Sequence, residues 1–223
     1  MLRDALTYPA RGDEGTLLVG VALALAVGLL ARLGVFAPLA AIPAVLLAGH
    51  ATAVLRASIE GGEAADAPPG FADPRALAAD GLRALAVAVG YLLAPGVALA
   101  VTVGGRLAGE SPASAGSALV VYAGGTVVLL ASLSFAYLLP AALVGVARRR
   151  TVRAGLDPAG VRRIATDAGY FVGWVSALGV AAVAAALASA AATAGRPGEV
   201  AGLVVAAYAL VAVARLIGRS VAR

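Results

Sequence analysis

The stretch VGVARRRTVRAGLDPAGVRRIA (residues 144–165) passes within a few positions from a run suited to hydrocarbon to six arginines and one aspartate. It is either the basic face of a nucleic-acid binder or the place where a chain leaves a lipid bilayer. The rest of the sequence decides between them. Of 223 residues, 61% are hydrophobic and 13% charged, whereas a soluble domain carries about 25% charged residues. Such a chain lacks the charge to clothe a water-facing surface, and its mean hydropathy is +0.95. The fold class expected is all-α, a polytopic membrane helix bundle. Only 5% of residues are aromatic while 28 are glycine, a composition that suits helices approaching closely in lipid.

The first apolar region, about 17–55, is twice the length needed to cross a hydrocarbon layer of about 30 Å. It therefore turns back on itself, with Arg32 and Gly34 at the break and Pro38 opening the returning helix. Further pairs flank the loop segments GGRLAGESPASAG (104–116) and TAGRPGEV (193–200). The expectation is one integral membrane domain over 1–223. Its spans lie at about 17–33, 36–55, 84–104, 118–146, 170–192 and 200–217, about six transmembrane helices arranged as three hairpins.

Arginines test that division. With both ends of the chain on one side, 14 of the 17 fall in that side's segments, and only Arg32, Arg106 and Arg196 lie opposite. The positive-inside tendency then gives a multi-pass protein of the cell membrane with both termini cytoplasmic. Asp13 and Glu14 in the lead argue against a cleaved signal peptide and for a retained first span. Arg148, Arg149, Arg150, Arg153, Arg162 and Arg163 are accordingly a topology signal and candidate contacts for anionic lipid headgroups. The same side also carries many carboxylates, among them Glu60, Glu63, Asp66, Asp73 and Asp80, and no rings interleave with the arginines to stack on bases. Nucleic acid is not an expected partner.

Phrases recur near the ends of the returning helices: IPAVLLAGHATAVLR (42–56), LPAALVGVARRR (139–150) and, more loosely, YALVAVARLIGR (208–219). Acidic residues Asp4, Asp80 and Asp167 lead the outward helices and are expected to cap them. A hairpin repeated three times and the chance likeness of alanine-rich spans both account for these phrases. The segments DALTYPARGDEGTLLVG (4–20), GHATAVLRASIEGGEAADAPPGFADPRALAADGLRALAV (49–87) and AVARLIGRS (212–220) resemble the DUF4013 family of archaeal membrane proteins. The best-matching part is the connection holding Arg56, Gly61, Gly62, Glu63, Pro68, Pro69, Phe71, Asp73, Asp80 and Gly81. The chain departs from the family pattern at Pro74 and Arg75, where an aromatic ring is usual. The resemblance implies membrane location and architecture and supplies no activity, cofactor or catalytic set.

Residue chemistry adds little to that. The chain has no cysteine and one histidine, His50, so neither a disulfide framework nor a thiolate metal site is available. His50 lies in the second span, and it reads either as a hydrogen-bonded helix-interface residue or as a proton relay or ligand. Ser132 and Ser134 fall mid-span, where a bond to the carbonyl four residues back or across to a neighbouring helix is expected. Gly124 and Gly125 are expected to permit helix contact, and Pro95-Gly96 to kink or unwind its span. Pro43, Pro95, Gly96 and Pro140, with His50, are the hinge and polar candidates. No catalytic, cofactor or metal residue is assigned, and the function expected is a nonenzymatic scaffold or membrane-organising protein, with a small-solute transporter or pore as the alternative. Expected partners are membrane lipids, including anionic headgroups, and other membrane proteins or further copies of the chain.

Overall fold

The computed structural model describes residues 1–61, 66–107 and 115–222, with backbone alone for 101–107 and 115–122. All regular structure in these residues is helical. A short helix α1 (Leu2–Thr7) and a 3₁₀ turn (Tyr8–Arg11) precede α2 (Glu14–Leu30). The chain then reverses through a 3₁₀ turn (Gly34–Ala40) into α3 (Ala41–Gly61) and continues as α4 (Pro74–Leu107) and α5 (Ala115–Arg149). Two short helices, α6 (Val152–Gly155) and α7 (Pro158–Ala165), lead to α8 (Ala168–Ala192) and α9 (Arg196–Ser220). Among the described residues five helices are long and apolar enough to cross a membrane. A sixth span results if α2 is counted with the segment Leu2–Arg11, from which it is bent by 95°. The chain is thus a polytopic α-helical bundle.

Lipid as solvent explains the side-chain pattern. Helices α2 and α8 are apolar on every face and bury few residues, as expected where the outward face meets hydrocarbon. Helix α3 holds the centre, packed against α2, α4, α5 and α9, while α8 packs on α9. Buried side chains gather in the arginine-rich half, including Val54, Leu55, Val87, Val144, Val146, Tyr170 and Leu216. Towards the other end, α4 and α5 are largely uncovered over 89–100 and 123–135.

Two glycines set the α3–α4 crossing. A Cβ on Gly49 would lie 1.9 Å from the Leu77 carbonyl oxygen, and one on Gly81 would lie 1.9 Å from that of Val45. The backbones therefore touch at two reciprocal points, the small-residue contact that substitutes for a hydrophobic driving force between helices in lipid. Gly124 and Gly125 do not do this. A Cβ on either meets nothing within 4 Å among the described residues. Helix α4 continues through Pro95 and Gly96 with no unwound stretch there, and α5 continues through Pro140. Pro43 is buried in the first turn of α3, where its missing N–H costs nothing.

Candidate functional site

The caps account for which acids are left to pair. Asp157 accepts from Ala159 N at 3.2 Å and Asp167 from Tyr170 N at 3.1 Å, each satisfying an orphan amide at a helix start. Helix α4 starts six residues ahead of Asp80, at Pro74, and its cap is Asp73, which accepts from the Arg75 and Ala76 amides. Asp80 therefore does not cap. It faces α3, accepting from Arg56 Nη2 at 2.7 Å and from Arg83 Nη1 at 2.8 Å. Arg56 Nε also donates to the Ala147 carbonyl at 2.8 Å. One carboxylate and one guanidinium thus tie α3, α4 and α5 together.

A second node lies on α9. Asp4, expected as a cap, instead accepts from Arg11 Nη1 at 2.7 Å, Arg219 Nη1 at 2.6 Å and Arg215 Nε at 3.3 Å. Burial works to raise its pKa, but the Arg219 and Arg11 hydrogen bonds and the charge of Arg215 outweigh it and hold the carboxyl at about 2. The Arg215 side chain is fully buried. Its Cζ lies 4.3 Å from the Tyr8 ring centroid, a cation–π contact in a desolvated place. Tyr8 is buried too and donates to the Ala67 carbonyl at 2.9 Å. The segment before α2 is therefore clamped onto the bundle.

The arginine-rich connection is built differently. Arg148, Arg149, Arg150, Arg153, Arg162 and Arg163 are all exposed. Arg148 donates to the Val221 carbonyl at 2.8 Å, and Arg149 lies 3.9 Å from Asp157. Below them an aromatic group fixes α7 to the bundle. Tyr137 of α5 donates to the Ala165 carbonyl at the end of α7, and its ring meets Tyr170 and Trp174 edge-on at 5.3 and 5.0 Å. Trp174 Nε1 donates to the Ala136 carbonyl at 3.2 Å. That carbonyl is four residues before Pro140, whose missing N–H leaves it without its helical donor. The indole of Trp174 thus takes the place of the amide that Pro140 lacks.

His50 is buried on α3 and stacked on Phe71, with ring centroids 4.3 Å apart and planes 17° apart. Its Nδ1 has no hydrogen-bond partner among the described residues. It borders a cavity of about 50 Å³ whose other walls include Leu17, Val21, Leu47, Val204 and Val211. Pro43, Pro95, Gly96 and Pro140 are not on that wall. Ser132 and Ser134 bond to the carbonyls of Val128 and Leu130. Among the described residues no three His, Asp or Glu side chains group so as to hold a metal ion.

A family model described as "Protein of unknown function (DUF4013)" matches residues 33–193. It takes in the Arg56–Asp80 node, His50, Phe71 and the arginine-rich connection, whereas Asp4, Arg215 and Arg219 lie outside the match. No curated protein matches the chain, and no solved structure matches it.

Proposed function

The chain belongs to the DUF4013 family, and from that premise we propose that it is a nonenzymatic membrane-organising protein acting by lateral contact within the cell membrane. In this reading both termini are cytoplasmic, as the arginine distribution favours. The observation that carries the scaffold role is the free face of the α4–α5 pair. Val89, Leu93, Val97, Val127, Leu129 and Leu130 all point outward. Gly90, Gly96, Gly124 and Gly125 lie beside them with nothing near their Cβ positions. Small residues allow another helix to approach closely in lipid, and among the described residues nothing packs against them. The exposed arginines of α6, α7 and the end of α5 suit anionic headgroups, held at the membrane surface by the Tyr137 contact to Ala165.

Transport is the competing reading, and His50 is what favours it. A cavity of about 50 Å³ has room for a few waters at most, and its walls are nearly all aliphatic. A solute pathway would have to open elsewhere or by motion.

Crosslinking separates the two. The chain has no cysteine, so Val97→Cys, Val127→Cys and, as a control on α2, Leu29→Cys each create a unique handle. In native membranes the lateral-contact reading expects a defined crosslinked adduct from the first two and none from the third. Equal background at all three positions, together with specific solute flux from the purified protein in vesicles, would replace it with transport.

A further inference from the structure

An open groove of about 660 Å³ runs between α8 and α9. Its α8 wall includes Gly179, Val183 and Leu187, its α9 wall includes Val205 and Ala209, and Leu6 of α1 closes it at the arginine-rich end. Along α8 the lining extends from Ser176 to Leu187, about 16 Å at the helical rise. That is the depth of one leaflet in a hydrocarbon core of about 30 Å. The two hydroxyl groups in the lining are both engaged. Ser176 bonds to the Val172 carbonyl and Tyr208 donates to the Leu6 carbonyl. The groove therefore asks for hydrocarbon and offers nothing to water.

Its roof is fixed and cationic. Helix α1 is held by the Asp4 contacts to Arg215 and Arg219 and by the Tyr208 bond to Leu6. Leu2 and Leu6, one helical turn apart, both line the groove. Arg3, next to Leu2, is exposed. Among the described residues of α1, the following 3₁₀ turn and the last turns of α9, four arginines accompany one carboxylate. An anion at this level meets a net positive potential.

We propose that the α8–α9 groove is a resident-lipid site that takes one hydrocarbon chain of an anionic phospholipid, with the phosphate at the level of α1 beside Arg3. The site is separate from the pocket beside Arg149 and Arg153, whose walls include Thr151 and the carboxylate of Asp157 as well as Leu156. It selects by shape and depth as well as by charge, so its lipid stays with the protein when the surrounding bilayer is stripped away.

The test uses the full chain purified in mild detergent and stripped of lipid. It is then offered palmitoyl-oleoyl phosphatidylglycerol or the phosphatidylcholine with the same chains. Native mass spectrometry counts the lipids retained. One phosphatidylglycerol per chain is expected, with roughly tenfold preference over phosphatidylcholine, the size that one or two arginines supply near an anionic headgroup. Gly179→Leu should abolish retention. A side chain there enters open space, so it fills the groove without forcing the helices apart, which circular dichroism and a monodisperse elution profile verify. Gly96→Leu, also in open space but on α4, should retain the lipid. Arg3→Gln should keep a lipid while losing the headgroup preference. Retention by Gly179→Leu equal to that of the parent chain overturns the proposal. So does a parent chain that retains no lipid or does not distinguish the two headgroups.

Discussion

Arg56 Nη2 and Asp80 Oδ2 meet at 2.7 Å where α3 crosses α4, with their side chains only 14% and 8% exposed. The crossing that brings them together is the one made by Gly49 and Gly81, so the residue after Asp80 supplies the close approach that its own carboxylate needs. A pair this buried adds little net stability over an apolar pair of the same shape. Removing one partner is costly, because the other charge remains in a poor solvent.

Asp80→Asn is therefore expected to destabilise the bundle by about 3 kcal/mol. Loss of a helix cap, as in Asp157→Ala, should cost about 1 kcal/mol. Reversible unfolding of the two variants in mixed micelles checks the order. Equal losses would show that the Asp80 contacts are exchanged readily for water.

Acid should act first on the other node. The Asp4 carboxyl is depressed from 3.8 to about 2, so its contribution is fully present above the unfolded value and disappears as pH falls through the folded one. The unfolding midpoint should stay level from pH 7 to pH 5 as far as this group is concerned and drop between about pH 4 and pH 2. Asp4→Asn should lower the midpoint at neutral pH and flatten that acid limb. An unchanged acid limb in the variant would remove Asp4 from the account.

Glycines divide into two classes with opposite tolerance. Gly81→Val places a side chain against the backbone of Val45 and should cost about 3 kcal/mol or more through forced separation of α3 and α4. Gly96→Val enters open space and should change stability by less than about 1 kcal/mol. Thermal unfolding of the purified variants distinguishes them directly.

The Pro140 and Trp174 relation predicts an interaction energy. Trp174→Phe leaves the Ala136 carbonyl without a donor and should cost about 1–3 kcal/mol. In a Pro140→Ala background the helix supplies its own N–H to that carbonyl, so the same substitution should cost less. A double-mutant cycle on unfolding free energies reads the difference. Strict additivity would mean that the indole contact is incidental.

What the sequence makes legible follows from how local each relation is. Charge content and the length of apolar runs are properties of whole segments, and they are enough for an all-α bundle of membrane-length helices. Asp157 and Asp167 cap amides two or three residues away, and Ser132 and Ser134 bond four residues back, so sequence spacing alone contains those contacts. Asp80 read as a cap because it precedes an apolar run. Asp73, followed by Pro74, is the better helix-start signal, and it is the one used. The Asp4 partners Arg215 and Arg219 are more than 200 positions away, and no local pattern selects them among 17 arginines. The Trp174 role was open to deduction. A proline inside a span leaves a carbonyl in need of a donor, and the chain has one tryptophan.

The most direct test asks whether lipid surrounds these helices with the arginine-rich end on one side. Ala10→Cys and Thr151→Cys mark that end, Val35→Cys and Thr193→Cys mark the other, and all four positions are exposed. Each variant, labelled with a membrane-impermeant maleimide in intact cells and in inverted vesicles, reports its own side. Positions 10 and 151 are expected to react only in inverted vesicles and positions 35 and 193 only in intact cells. Reaction of residues 151 and 193 from the same side would contradict this arrangement.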